Sequence, residues 1–213
     1  MSVLNKLASA LGRRDEVPNQ ILAKTVAETD DYAAVQELIA HLSDANKDIQ
    51  SDCIKVLYEI GALKPDLVAN GVDEFLKLLR SRNNRLVWGG MTALGAIAER
   101  KAADIWQQID MVMEVTEKGS AITQDWGIRV LATVSAQDRA YQERIFPFLI
   151  RFLERCPPKD LPRHAESTLV AVDGRNKAAL QAVLDGRTGG LKPAQRKRVE
   201  QVLRKIKALQ ADE

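Results

Sequence analysis

An indole, a carboxylate and a guanidinium, carried by Trp88, Asp125 and Arg129, are the groups in this 213-residue chain best suited to holding a ligand. Trp88 is followed at helical spacing by Thr92, Gly95 and Ala96, so a large aromatic face stands beside residues with short side chains or none. Such a face over a shallow floor suits an inserted apolar or cationic group. Asp125 lies 37 residues after Trp88, and Arg129 lies one helical turn beyond Asp125. Arg85 sits just ahead of Trp88, while Lys55 and Tyr58 stand 37 residues before Thr92 and Gly95. Together Trp88, Asp125, Arg129, Arg85, Thr92, Tyr58 and Lys55 form a candidate binding ridge. A plainer reading of the same residues is also open, in which Trp88 fills space between helices and Asp125 and Arg129 make a solvated i,i+4 pair worth little.

A second set is cationic. Residues 187–213 hold eight Lys and Arg against three Asp and Glu, whereas the preceding body has 23 against 26. Within that tail Arg196, Lys197, Arg204 and Lys205 are candidate phosphate contacts, with Arg187, Lys192, Arg198 and Lys207 around them. A closing repeat also needs a charged outer face for solubility, which explains the same composition without any ligand. Gly186, Gly189 and Gly190 do not form a phosphate-cradling GxxxxGK[ST] loop. Cys53 and Cys156 lack CxxC or Cys/His spacing, and His41 and His164 are isolated, so neither a metal nor a cofactor is expected. Trp106 and Trp126 read as packing residues. The chain shows no clustered pair of carboxylates, no catalytic His and no nucleophile beside a base, which argues against an enzyme.

The elements that position these groups follow from a repeat. Val35, Val72, Ile109 and Phe146 are 37 residues apart, as are Leu38, Phe75, Val112 and Leu149, and Ile39, Leu76, Met113 and Ile150. A second ladder runs Leu57, Leu94 and Leu131 at the same interval, then Leu169 after 38 and Leu203 after 34, with Ile60, Ile97, Val134, Val172 and Ile206 three residues behind. Ile49, Cys53, Val56, Leu57 and Ile60 fall on one arc of a helix. No segment alternates as a strand. The spacing therefore predicts two helices per unit and an all-α, α-α superhelix of five hairpins at 31–64, 65–101, 102–137, 138–174 and 175–213. Such hairpins must stack to bury their apolar faces. Val3, Leu4, Leu7 and Leu11, and Pro18 opening a helix over 19–29, predict N-terminal capping helices in 1–30, followed by a repeat solenoid over 31–213 in a single domain overall.

The pattern resembles HEAT repeats of the armadillo/HEAT superfamily over about residues 31–209, with a small residue at Cys53, Gly90, Gly127 and Ala165 of the second helix. The Val-Arg pair of the HEAT consensus is replaced by Ile49-Gln50, Leu86-Val87 and Thr123-Gln124, so the units are HEAT-like. The resemblance implies that second helices line a concave face and that this face binds a protein or peptide, making the chain a non-enzymatic scaffold or adaptor. A distant, partial resemblance to HEAT-like alkylpurine DNA glycosylases rests on Trp88, Asp125 and Arg129. It implies an alternative as a nucleic-acid-binding or glycosylase-like protein, although the residue one turn after Trp88 is Thr92 where that chemistry asks for a carboxylate. With no apolar run of about 18 to 20 residues and no apolar N-terminal signal block, a monomer in the cytoplasm without membrane association is expected.

Overall fold

Asn46, Asn83 and Ser120 recur at intervals of 37, and each accepts a backbone N–H through its side chain to start a long helix. This satisfies one of the orphan donors that every helix N-terminus exposes. The computed structural model describes residues 2–209, and among them no residue is in a strand. After a 3-10 turn at Val3–Lys6 come α1 (Val17–Thr29), α2 (Tyr32–Ala40), α3 (Lys47–Leu63), α4 (Pro65–Val68), α5 (Val72–Leu78), α6 (Asn84–Ile97), α7 (Ala102–Trp106), α8 (Ile109–Lys118), α9 (Ala121–Ser135), α10 (Arg139–Arg155), α11 (Leu161–Thr168), α12 (Lys177–Arg187) and α13 (Pro193–Ala208). The second helices of the five hairpins are α3, α6, α9, α11 and α13. No helix among the described residues is long and apolar enough to cross a membrane.

The chain divides into two compact units, Met1–Ile109 and Asp110–Glu213. In the first, α3 is flanked by α1 and α6, so α1 packs as a further second-type helix through buried Leu22, Ala23 and Val26. Leu11, expected on the apolar stripe of the N-terminal segment, is instead exposed, while Val3 and Leu7 are buried. In the second unit, α9 packs on α11 and α11 on α13, with α10 against α9 and α12.

The repeat predicts the core closely. Val35, Val72, Ile109 and Phe146 are all buried, as are Leu57, Leu94, Leu131 and Leu203. The fourth hairpin departs from the ladder, since Leu169 and Val172 are only half-buried. There α11 ends at Thr168 and tightens into a 3-10 turn, Leu169–Ala171, which brings Ala171 into the core instead. The interval of 38 residues before Leu169 marks that slip.

In the middle of the chain the first helix of a hairpin is itself divided. The first helix of the second hairpin is split into α4, a 3-10 turn at Ala69–Gly71 and α5, and the third hairpin likewise begins as α7 and α8. At Gly71 an added Cβ would lie 3.0 Å from both Ile39 and Phe75. The corner is therefore packed against α2.

The small positions of the second helices are where they touch their own first helix. An added Cβ at Gly90 would lie 3.0 Å from the Phe75 carbonyl, and at Gly127 it would lie 2.1 Å from the buried Thr116 Oγ1. Thr116 is fixed by donating to the Val112 carbonyl at 2.7 Å. Gly127→Ala should accordingly destabilise the protein by about 1–3 kcal/mol through overpacking. Gly186→Ala, with open space around its Cβ, should stabilise it by about 0.4–1 kcal/mol through the unfolded chain. Urea unfolding of the two variants checks the contrast, and equal midpoints would refute it.

Candidate functional site

Lys55 is a cation at a position where the α3 wheel turns toward the ridge, yet it is only 6% exposed. Its ammonium is held by Glu16 Oε2 at 2.7 Å and Glu59 Oε1 at 2.6 Å. Burial alone would favour the neutral amine, but those two bonds outweigh it and keep the Lys55 pKa above the usual 10.5. The same amine lies 5.0 Å from the centre of the Tyr58 ring. Tyr58 meets Trp88 of α6 in a tilted pair, centroids 5.8 Å apart, and the Arg85 guanidinium stands 5.2 Å from the Trp88 ring. Arg85 Nη2 donates to Glu16 Oε1 at 2.7 Å. One carboxylate thus bridges two cations, each of which also covers an aromatic face. Burial raises the Glu16 pKa, but the Lys55 and Arg85 bonds exceed that effect and hold it below its usual 4.5.

Four of the expected ridge residues, Lys55, Tyr58, Arg85 and Trp88, therefore come together within the first unit. Thr92 takes a different place. It is buried, and its hydroxyl donates to the Trp88 carbonyl at 2.8 Å, so it braces the helix beneath the indole. Next to Glu16 lies a cavity of about 560 Å³ lined by Arg13, Arg14, Asp48, Ser51, Asp52 and Arg85 among others. Glu16 was not assigned a role from sequence; its partners are 39 and 69 residues away, and the repeat gives no signal for it.

In the second unit Asp125 turns toward the next hairpin. Its Oδ1 accepts from His164 Nε2 at 2.8 Å, and its Oδ2 pairs with Arg163 Nη1 at 2.8 Å. The expected i,i+4 partner, Arg129, lies instead over Trp126, 5.1 Å from the ring centre. Arg163 follows Asp125 by 38 residues, the interval that separates Leu131 from Leu169, so this pair is a rung between successive second helices. His164 was read as isolated, but it is 1% exposed and its ring meets Phe152 edge-on at 5.3 Å. With Nε2 donating to the carboxylate, Nδ1 is a bare acceptor, buried with no partner among the described residues.

The basic tail is divided. Arg196, Lys197, Arg204 and Lys205 are exposed on α13 opposite buried Val199, Val202, Leu203 and Ile206. Arg198 is taken by Glu166 in a two-pronged bond of 2.8 and 2.6 Å. Arg187 is not a phosphate contact: it caps the end of α10 by donating to the carbonyls of Leu153 and Cys156. Both cysteines are buried, and burial pushes the Cys53 thiol up to about 12.

Searches with protein-family models and among curated proteins find no match. Solved structures do match. An engineered protein aligns with a TM-score of 0.66 at 18% identity, covering 98% of each chain. A designed armadillo repeat protein in complex with the peptide (KR)4 aligns with a TM-score of 0.69 at 10% identity, covering 88% of this chain and 86% of that one. A computationally designed armadillo repeat protein for modular peptide recognition gives 0.67 at 12% identity, covering 94% and 97%. This is an armadillo/HEAT-type helical repeat fold. The split first helices of the second and third hairpins give three helices per unit, the armadillo count, beside the two of HEAT.

Within the armadillo/HEAT-type second unit, the Asp125–His164 rung carries a pH dependence. Burial holds the His164 pKa below its usual 6.5, the Asp125 bond opposing that effect. The folded protein then binds this proton less readily than the unfolded chain, so the stabilisation is complete above 6.5 and is lost as the pH falls through the lowered folded value. Urea unfolding should show stability declining with acidity in that window and a shallower decline in His164→Phe. An unchanged slope in the variant would exclude His164 as the source.

Proposed function

We propose that the chain is a non-enzymatic scaffold that holds an extended peptide or protein segment along the second-helix face of its first unit, anchored on Tyr58 and Trp88. The observation that carries this reading is the half-buried aromatic pair with a cation over each ring, bordered by Gly95 and Ala96, which are also half-buried. Aromatic and arginine side chains in partly desolvated settings dominate binding energy at protein interfaces. The backbone needs no rearrangement to present them, because both aromatics stand on packed helices. Solved neighbours of the same fold include a designed protein in complex with a peptide. Glycosylase-like chemistry asks for a carboxylate where Thr92 stands, and Asp125, which could only substitute for it, has both oxygens committed to His164 and Arg163, which favours the scaffold over an enzyme. The scaffold is taken to act as a monomer in the cytoplasm.

A second reading rests on Arg196, Lys197, Arg204 and Lys205, which are exposed and have no ion-pair partner among the described residues. Four such cations on one short face bind phosphate weakly, and duplex DNA affinity at about 0.15 M salt should be slight. Tight binding with a steep salt slope would move the function to α13.

The scaffold is tested by selecting a displayed random-peptide library on the wild-type protein. A hot-spot truncation is worth about 2 kcal/mol or more, about thirtyfold in affinity. Trp88→Ala and Tyr58→Ala should each weaken the selected peptides by that factor while circular dichroism stays that of a helical fold. Undiminished retention by both variants would remove the anchor.

A further inference from the structure

Glu16 is bound in the way a ligand would be. Its carboxylate bridges Lys55 and Arg85 at 2.7 Å each, at the edge of the Tyr58–Trp88 pair. Yet its side chain does nothing for the helix it precedes, since it makes no cap hydrogen bond. Val17 N–H is accepted by Asp15 Oδ1 at 3.0 Å, and Pro18 presets the first turn. The chain before it is a strap. Residues 10–15 are exposed, with Gly12 in the left-handed region at φ 66. Among the described residues, the hydrogen bonds of 10–15 run only to one another or to residues 7–9 and 17, including Leu11 to Leu7, Arg13 to Ala8 and Arg13 to Asp15. From Ser9, which donates its N–H to Asp52 at 2.8 Å, the next tether to the body is the Glu16 carboxylate.

We propose that the Lys55–Arg85 pair is a receptor for a carboxylate side chain on an acidic partner segment, and that Glu16 occupies this place until the partner displaces it. The proposal rests on the scaffold reading and names the partner chemistry at its site. Vacating the position without replacement would leave buried Lys55 with Glu59 alone and Arg85 unpaired. Removing one partner from a buried ion pair is costly, so the position selects for another anion. Asp48 and Asp52 line the adjoining cavity together with Arg13 and Arg14, so its charge is mixed, and the position between Lys55 and Arg85 is already matched in size and charge to the single carboxylate of Glu16. The cavity of about 560 Å³ gives room for the residues flanking it. Ser9 also lines that cavity. The tilted aromatic pair supplies apolar contact to a neighbouring side chain. A tethered competitor acts at millimolar effective concentration, so removing it should expose the intrinsic affinity.

The test uses the full chain and three synthetic heptapeptides with a neutral fluorophore, Gly-Ser-Leu-Glu-Leu-Ser-Gly and its Gln and Lys counterparts at the central position. By fluorescence anisotropy the Glu probe should bind Glu16→Gln about tenfold or more tightly than wild type, with no gain for the Gln or Lys probe. Adding Arg85→Gln to that variant should abolish the gain. Glu16→Ala gives the same comparison if Glu16→Gln melts early. Equal affinity of wild type and variant for the Glu probe, a gain shared by the Gln probe, or no binding to either protein would overturn the proposal. Library peptides that depend on Trp88 but are indifferent to Glu16→Gln would leave the scaffold standing and remove the carboxylate receptor. A Glu-probe gain indifferent to Trp88→Ala would do the reverse.

Discussion

No hairpin of this chain can bury its own apolar stripe, and that constraint governs the rest of the molecule. A stripe shared between neighbours fixes the rotation and the starting residue of every second helix. Asn46, Asn83 and Ser120 set that start by capping α3, α6 and α9 in the same register. The small residues on the inner side then let each second helix close on its own first helix, to the point where Gly127 leaves no room for a methyl group beside Thr116. Once the inner side is determined, the outer side is determined too. Ser51, Trp88 and Asp125 occupy the same station of successive helices, and the apolar core does not dictate which residue stands there.

The ladders of Val35 and Leu57 were legible because burial repeats wherever the fold repeats. The broken first helices were not. A 3-10 turn takes 3.0 residues in place of 3.6, and over Ala69–Gly71 that difference is less than the tolerance of an apolar pattern, so Val72 and Phe75 reach the core in either case. That Lys55, Tyr58, Arg85 and Trp88 would lie near one another was also legible, since the repeat sets them on one side of α3 and α6, although Lys55 is buried there. Their neutralising partner was not. A carboxylate in an irregular segment obeys no period, and neither does a histidine that reaches across 39 residues to Asp125. Residue types show which charges need partners; only the folded backbone shows which partners arrive.

The two units solve the same electrostatic problem in opposite ways. Charge in a partly buried setting must be compensated by a close partner of the other sign. In the second unit the compensation for Asp125 comes from α11, where Arg163 and buried His164 are held by a helix packed against both α9 and α13. Removing it would require that helix to leave the core. In the first unit Lys55 shares its charge between Glu59 of its own helix and Glu16, while Arg85 depends, among the described residues, on Glu16 alone, and changing that partner at the end of an exposed strap requires only a few torsions around Glu16. Exchange of an internal partner for an external one is cheap only where the internal one is carried by few contacts. By that criterion the rung at Asp125 belongs to the stability of the solenoid, and the cluster around Lys55 is the one whose internal partner the proposed segment would exchange.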